Sequence, residues 1–301
     1  MKVGLVLPMF SGDAERVLAF ARSAEELGFD GVFAFDHLFP PGAPADRPSL
    51  EAFTTLSAVA VATRTVAIGT LVTRASLRNA GLIAKLAATV DDVSGGGRMI
   101  LGIGTGDPLD RPEHDVFGLP YLEKAERREH LVETVRAVRA LFHGNGWEGG
   151  RHVPSMPGPL LPRPATPGGP PLWVGGFADA VVRLAGREAH AWNGWGMGAN
   201  EFGRKARLLR DEALAAGREA SPTWAGILVV GRDDEEVVRR MRARAERGLE
   251  TDVWGGTVRE LVEWFLVLEE LGATWAVVVP GGTDQVELIA EEVIPHVGSG
   301  G

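Results

Sequence analysis

The feature that most constrains the fold is a regular alternation of short apolar segments with segments of helical periodicity. Eight apolar segments recur along the chain, at 2–7, 31–35, 66–71, 99–103, 172–174, 191–193, 224–230 and 275–279. Each is followed by a stretch in which apolar residues recur at helical spacing. Near-continuous apolar strands are typical of parallel sheets that are buried on both faces. The alternation therefore predicts an α/β fold of eight βα units.

Two architectures satisfy this alternation, a closed (βα)8 TIM barrel and a doubly wound open sheet. The closed barrel is the simpler solution, and 301 residues is an ordinary length for one barrel. We therefore predict a single barrel domain over 1–301. The segment 143–171 is rich in Gly and Pro and has weak periodicity. Because the alternation resumes after it, we interpret it as an excursion from the barrel rather than a linker between two domains.

Composition excludes several classes of function. The chain has no cysteine, which rules out disulfides, thiolate zinc sites, iron–sulfur clusters and cysteine nucleophiles, so redox chemistry would need a bound cofactor. Its net charge of −9 and the lack of a long basic run disfavour nucleic-acid binding. The 7 histidines form no H-x-x-x-H or H-x-H pair, and we predict no metal. The sequence shows no signal peptide and no membrane-spanning apolar run, which predicts a cytoplasmic protein without membrane contact.

Polar residues follow the second predicted strand, where a barrel of this kind gathers its functional groups. Asp36 and His37 stand there, directly before a loop rich in Pro and Gly. A histidine can transfer a proton near neutral pH, and an adjacent carboxylate can orient its ring. The alternative is a loop histidine that caps the following turn.

Further candidates follow the third to sixth strands. Thr73 and Arg74 offer a hydroxyl and a cation, and the glycine turns 104–106 and 175–177 can bring backbone N–H groups to an anion. The second turn leads directly into a helix, whose N-terminus favours a phosphate. Two ordinary βα turns are the alternative, and Gly281-Gly282 after the last strand is a competing phosphate site. Trp195 is either a core residue or a stacking platform for a ring.

Several segments together resemble those of a known family, in the family's order. They are Ala24-Glu25-Glu26-Leu27-Gly28-Phe29-Asp30-Gly31-Val32-Phe33 with Asp36-His37, Val66 to Thr73, Ala84 to Arg98, Leu101 to Gly106, and Pro171 to Gly176. On these segments the chain resembles the luciferase-like flavin- and F420-dependent oxidoreductases over most of its length. The resemblance implies a (βα)8 barrel with a ring system over the strand ends and a cofactor phosphate at the two glycine turns.

The F420-dependent branch of this family is the preferred match. Its members place an Asp-His pair beside the deazaflavin, which implies a catalytic role for His37. An acid follows the Gly-Thr-Gly turn in that branch, often glutamate, and Asp107 stands there in this chain. The family also tends to hold a non-proline cis peptide near the end of the third strand, which implies that Val72 and Thr73 lie under the ring. Glucose-6-phosphate-oxidising members carry a tryptophan four positions after the histidine; Pro41 replaces it here, which argues against that substrate.

We therefore expect an oxidoreductase that transfers a hydride between coenzyme F420 and a small organic substrate, with His37 and Asp107 as catalytic residues. The expected cofactor-binding residues are Asp36, Val72, Thr73, Gly104, Thr105, Gly106, Gly175, Gly176 and Phe177. The alternatives are an FMN-dependent monooxygenase that works with a flavin reductase, and a non-catalytic flavin- or F420-binding protein. By analogy with the family we also expect a homodimer.

Overall fold

A computed structural model describes residues 1–42, 46–249 and 253–297, and a parallel β-barrel lies at its centre. The strands are β1 Lys2–Val6, β2 Gly31–Ala34, β3 Ala67–Thr70, β4 Thr73–Arg74, β5 Met99–Gly104, β6 Leu172–Gly175, β7 Ala191–Trp195, β8 Ser221–Gly231, β9 Val253–Thr257 and β10 Trp275–Pro280. Strand β10 pairs with both β8 and β1, which closes the sheet. The short strands β4 and β9 pair with β5 and β8 outside the ring of eight.

The helices cover the outside of this barrel. They are α1 Ala14–Glu26, α2 Ala52–Ala62, α3 Ala80–Val93, α4 Arg111–Val116, α5 Lys124–Phe142, α6 Asp179–Glu188, α7 Ala199–Ala215, α8 Asp234–Ala245, α9 Val258–Glu270 and α10 Asp284–Glu292. None of the helices in the described part of the chain combines the length and apolar character that a membrane crossing requires.

The closed barrel confirms the predicted fold, and all eight predicted strands are present. The open-sheet alternative is wrong, because Trp275 is in register with Lys2 on one side and Thr223 on the other. The sequence did not predict β4 or β9. Strand β9 was not predicted because it lacks the apolar run of the barrel strands. Most of its residues are only partly buried, and two of its five are glycines.

Large aromatic side chains fill the inside of the barrel. The ring of Phe33 stacks on Trp173 with centroids 5.4 Å apart, and it meets Trp275 edge-on at 5.6 Å. A Cβ atom at Gly4 would lie 2.8 Å from the Phe33 ring, and one at Gly69 would lie 3.0 Å from it. Glycines on neighbouring strands thus make room for the aromatic rings, and the interior is packed with side chains, leaving function to the loops at the strand ends.

The segment 143–171 forms the predicted excursion between α5 and β6. It contains no helix, and its one strand-like feature is an antiparallel bridge between Trp147 and Met156. The carboxylate of Glu133 on α5 accepts hydrogen bonds from the backbone N–H groups of Arg151, His152 and Val153. A side chain of the barrel's own helix layer therefore fixes the excursion.

The start of β3 is fixed by one carboxylate on α1. Glu25 accepts hydrogen bonds from the N–H groups of Arg64, Thr65 and Val66 and from the Thr65 hydroxyl. Partial burial by itself would raise the pKa of Glu25, but these hydrogen bonds outweigh it and lower the pKa to about 2. The ionised side chain therefore holds the loop that leads into β3, and β3 in turn carries the chain to Val72 and Thr73.

This anchor predicts a specific pH dependence of stability. The folded-state pKa of Glu25 lies below the value of about 4.3 expected in the unfolded chain, so its contribution is complete above that value and is lost as the pH falls from about 5 to 2. Urea unfolding should show that Glu25→Gln is less stable than the wild type at pH 7 and that the difference shrinks over this range. The exposed neighbour provides the control, because Glu26→Gln should leave stability unchanged at every pH.

Candidate active site

His37 is held at the barrel mouth by carboxylates from a distant part of the chain. Its Nδ1 atom lies 2.8 Å from Oε1 of Glu113 and 3.6 Å from Oδ1 of Asp110. Asp110 ends a 3-10 turn over Pro108–Asp110 that follows β5, and Glu113 lies in α4. The end of β2 and the loop after β5 are thus joined through one histidine ring.

Arg74 at the end of β4 balances these two carboxylates. Its Nη2 lies 2.7 Å from Oε2 of Glu113, its Nη1 lies 3.5 Å from Oδ2 of Asp110, and its Nε donates to the carbonyl of Asp36 at 3.2 Å. Arg74 and Glu113 are both buried. Paired, hydrogen-bonded charges of this kind persist in a protein interior, whereas a single unpaired one is costly.

The protonation of this group follows from its contacts. Burial by itself would raise the pKa of Glu113, but the His37 and Leu38 hydrogen bonds and the charge of Arg74 outweigh it and hold the pKa below its usual value. Glu113 is therefore ionised near neutral pH. A carboxylate only accepts hydrogen bonds, so Nδ1 of His37 carries a hydrogen. In the neutral ring Nε2 is then the atom with the lone pair.

Asp36 does not orient its neighbour His37. Both of its carboxylate oxygens bind Arg78, at 2.6 and 3.0 Å, and the Thr73 hydroxyl donates to the same carboxylate. Arg78 also pairs with Glu51 at 2.6 Å. The carboxylate of Asp36 is thus taken up by Arg78 and Thr73, and the acids beside the histidine ring come from the loop after β5.

The peptide bond between Leu71 and Val72 is cis, as the resemblance implied. The side chain of Val72 packs against glycines on two neighbouring strands. A Cβ atom at Gly104 would lie 2.6 Å from Val72 Cγ2, and one at Gly175 would lie 3.0 Å from its Cγ1. These two glycines therefore make room for Val72, a reason that the sequence alone did not reveal.

The two glycine turns lie side by side, because Gly104 and Gly175 are in register on β5 and β6. Gly106 and Gly176 adopt φ values of 76° and 149°, which other residues rarely adopt. Within the described ranges, the N–H groups of Gly106, Phe177 and Ala178 have no hydrogen-bond acceptor. Helix α6 begins after Ala178 without a side-chain cap. Unbonded N–H groups at a helix N-terminus suit an anionic group.

Thr105 and Asp107 complete the first glycine turn. The Thr105 hydroxyl bonds only locally, to the carbonyl of Gly106 at 3.0 Å. Asp107 is exposed; its N–H donates to Asp110 at 2.6 Å, and its carboxylate accepts from the N–H of Leu109 at 2.9 Å. These bonds shape the 3-10 turn and include none with His37. The catalytic role of Asp107 stays a prediction.

Two weaker candidates are accounted for by packing. The ring of Trp195 lies 5.7 Å from that of Phe35, at the top of the inner barrel core. The competing glycine pair after β10 is filled from its own helix, since a Cβ atom at Gly281 would lie 2.8 Å from the Gln285 amide nitrogen. That amide group also accepts from the N–H of Val230 at 2.7 Å. The turn after β10 is therefore a poorer anion site than the turns after β5 and β6.

Sequence reasoning missed Glu113, Asp110 and Arg78; it proposed Arg74 as a cation at the barrel mouth but did not identify its carboxylate partners. The sequence offered one clue to the missed acids: Asp107, Asp110 and Glu113 follow the Gly-Thr-Gly turn closely, in the loop at the same barrel end as His37. His37, Asp110 and Glu113 also bring three possible metal-ligand atoms within 4.8 Å of one another. The Arg74 guanidinium already balances both acids, so the arrangement suits a hydrogen-bonded histidine better than a metal ion.

Comparison with known proteins agrees with this geometry. The sequence profile described as luciferase-like monooxygenase matches residues 1–261. The chain belongs to this family. It is 36% identical over 207 residues to an F420-dependent glucose-6-phosphate dehydrogenase of Nakamurella multipartita, covering 66% of this chain and 56% of that one. It is 32% identical over 248 residues to an F420-dependent hydroxymycolic acid dehydrogenase of Mycobacterium tuberculosis, covering 79% and 65%. The match thus spans less than two thirds of either relative.

Solved structures share the fold over the whole chain. An F420-dependent secondary alcohol dehydrogenase, in complex with an F420-acetone adduct, superposes with a TM-score of 0.85 at 19% identity, covering 99% of both chains. The monooxygenase RslO1 from Streptomyces bottropensis superposes with a TM-score of 0.80 at 23% identity, covering 99% of this chain and 100% of that one. These similarities show that the chain shares the fold of both proteins.

The buried charge network predicts a large effect of one neutralisation. Glu113→Gln leaves the Arg74 guanidinium without its nearest charge partner, and removing one member of a buried pair costs about 3 kcal/mol or more. Urea unfolding at pH 7 should show this loss. Asp115→Asn, an exposed change on the same helix, should leave the free energy of unfolding within about 0.5 kcal/mol of the wild type. Equal stability of the two variants would contradict the role assigned to Glu113.

Proposed function

We propose that the chain is an oxidoreductase that transfers a hydride between coenzyme F420 and a small organic substrate. The observation that carries the proposal is the position of His37, held by Glu113 at the same barrel end as the two glycine turns. The names of the curated relatives, which are F420-dependent dehydrogenases, support the same cofactor.

The residues present fit such a cofactor. When bound, F420 supplies or accepts the hydride at its deazaflavin ring. The turns at Gly104–Gly106 and Gly175–Phe177 would hold its phosphate through their unbonded N–H groups. Val72 and Thr73 would border the ring, and Asp36 would act by fixing Thr73 through its carboxylate. Two buried polar atoms of this site, Arg74 Nη1 and Asp110 Oδ1, have no hydrogen-bond partner within the described residues.

His37 is suited to move the proton that accompanies a hydride. When an alcohol becomes a ketone, the hydroxyl proton must leave as the carbon loses its hydride. Because Nδ1 of His37 carries a hydrogen toward Glu113, Nε2 of the neutral ring can take that proton. The resulting imidazolium is stabilised by the Glu113 carboxylate. In the reverse direction the same atom donates the proton to the ketone oxygen.

A role for His37 in proton transfer predicts a selective loss of activity. His37→Ala should lower the rate of hydride transfer by about 10²–10⁴-fold, the usual contribution of a positioned acid–base group. Its affinity for F420 should change little, because the phosphate-binding turns are intact. His143→Ala, an exposed change remote in sequence from the site, is the matched control and should keep full activity. Unchanged turnover of enones and ketones by His37→Ala would exclude the histidine from the reaction.

Asp107 is the second proposed proton-transfer group. Its side chain is exposed and forms no hydrogen bond with His37, so the two residues could act on one reaction only through a substrate bound between them. Asp107→Asn keeps the hydrogen bond that its side-chain oxygen accepts from Leu109, so the turn should persist. A fall in rate with unchanged cofactor affinity supports the proposal; unchanged kinetics would assign Asp107 to turn formation alone.

The cofactor itself is tested by direct titration. Purified protein stripped of bound small molecules is titrated with F420 and with FMN in separate experiments, followed by the absorbance and fluorescence of each chromophore. Tighter binding of F420 supports the proposal. Tighter binding of FMN would favour the FMN-dependent monooxygenase; the family profile, described as luciferase-like monooxygenase, supports a monooxygenase as the second candidate. Binding of F420 without turnover of any alcohol, ketone or enone would favour a carrier.

We further propose that the chain acts as a homodimer on a small-molecule substrate other than glucose 6-phosphate. The second part follows from Pro41, which stands where the resemblance leads us to expect tryptophan in enzymes for that sugar. The mass of the purified protein in solution tests the first part, and assay with glucose 6-phosphate tests the second.

A further inference from the structure

Within the described residues, two arginines near the active site contact one tyrosine ring and have no acidic partner. The guanidinium carbons of Arg111 and Arg127 each lie 5.2 Å from the centre of the Tyr121 ring. Arg111 is the first residue of α4, Arg127 lies in the first turns of α5, and Tyr121 lies in the connection between these helices. Because both distances are measured to the same ring centre, the two guanidinium carbons are at most about 10 Å apart.

Arg127 is a buried cation whose charge is not balanced by hydrogen bonds. Only 7% of the residue is exposed, and its Nε atom is buried without a hydrogen-bond partner. Throughout 1–42, 46–249 and 253–297, neither Arg111 nor Arg127 forms an ion pair with a carboxylate. Within the described residues, four of the seven other buried or half-buried arginines pair with a carboxylate, for example Arg74 with Glu113 and Arg78 with Asp36, whereas Arg98, Arg218 and Arg244 do not. An aromatic ring offsets only part of the cost of burying a guanidinium.

The Tyr121 ring is itself held in place. The buried His114 donates from Nδ1 to the carbonyl of Pro120 at 2.8 Å, and its ring meets that of Tyr121 edge-on at 5.3 Å. His114 follows Glu113 directly in α4. A fixed aromatic platform with guanidinium groups beside it presents planar N–H donors in a rigid arrangement, which is the geometry that recognises carboxylate and phosphate groups.

We propose that Arg111, Tyr121 and Arg127 form a binding site for an anionic group, a phosphate or a carboxylate, on the flank of α4. The anion would supply acceptors to two guanidinium groups that have no carboxylate partner within the described residues. Helix α4 connects this site to the reaction site, because Glu113 contacts His37 while Arg111 and His114 contact Tyr121. The anionic group belongs either to the cofactor proposed above or to a separate small anion, and the two sources are distinguishable.

Tyr121 provides an unusually direct probe, because it is the only tyrosine in the chain. Protein labelled with 13C-tyrosine therefore gives one set of ring signals in NMR spectra. We expect sodium phosphate and sodium glutarate, added at constant ionic strength, to shift these signals in a saturable manner. Shifts that grow linearly with concentration, or that sodium chloride reproduces, would overturn the proposal.

Two variants and one control locate the effect. Arg111→Gln and Arg127→Gln should each weaken the phosphate titration at least about tenfold, the order expected for one charge-assisted hydrogen bond. Arg128→Gln, an exposed change next to Arg127, should leave the titration unchanged. If the variant of the buried Arg127 fails to fold, the phosphate titration of the variant of the exposed Arg111 still tests the proposed site. Titrations of Arg111→Gln that match the wild type would overturn the proposal.

The source of the anion is resolved with two deazaflavins, F420 and its chromophore without the phosphate-bearing side chain. Weaker binding of F420 but not of the chromophore by Arg111→Gln assigns the site to the cofactor. Unchanged F420 binding, together with loss of the phosphate effect, assigns it to a separate anion. Because the phosphate titration needs no F420, failure of the proposed cofactor and failure of this site give different results.

Discussion

The buried contact of Glu113 with His37 and Arg74 is the interaction on which the rest of the site depends. It joins the loop after β2, the end of β4 and helix α4. Glu113 and Arg74 are both buried, and neither charge is acceptable there without the other, while the partly exposed His37 ring lies against the same carboxylate. The low pKa of Glu113 and the single hydrogen-bearing nitrogen that it imposes on His37 are consequences of this mutual dependence.

The barrel provides the second constraint, through packing rather than charge. Val72 occupies space that side chains on β5 and β6 would otherwise fill, so Gly102, Gly104 and Gly175 are needed to admit it. Glycine-rich strand ends in this chain therefore have two separate causes. Gly104 and Gly175 accommodate a neighbouring side chain, while Gly106 and Gly176 provide backbone conformations with positive φ. Both pairs lie in the two turns, but the unbonded N–H groups belong to Gly106, Phe177 and Ala178, since Gly176 donates to the carbonyl of Asn193 at 3.3 Å.

The sequence predicted the parts of this molecule that depend on local pattern. Strands buried on both faces leave a continuous apolar run, and the helices between them leave a periodic one, so the barrel could be derived almost in full. His37 could be found because it follows a strand. Glu113 could not, because its importance arises from a contact across 76 positions, and an acid on a short charged helix has no distinguishing pattern. Strand β9 was missed for the opposite reason, since partial exposure removed its apolar signature.

The position of helix α4 depends on the contact of Glu113 and on a second set of contacts at Tyr121. A helix of six residues has few stabilising hydrogen bonds of its own, so its position must come from tertiary contacts at both sides. On one side Glu113 is fixed by His37 and Arg74. On the other, His114 and Arg111 contact Tyr121, beside the Arg127 guanidinium, which has no carboxylate partner in the described part of the chain. An anion bound at Tyr121 would strengthen the contacts on this second side. Because Glu113 lies in the same helix, the anion would also help to fix the carboxylate that orients His37.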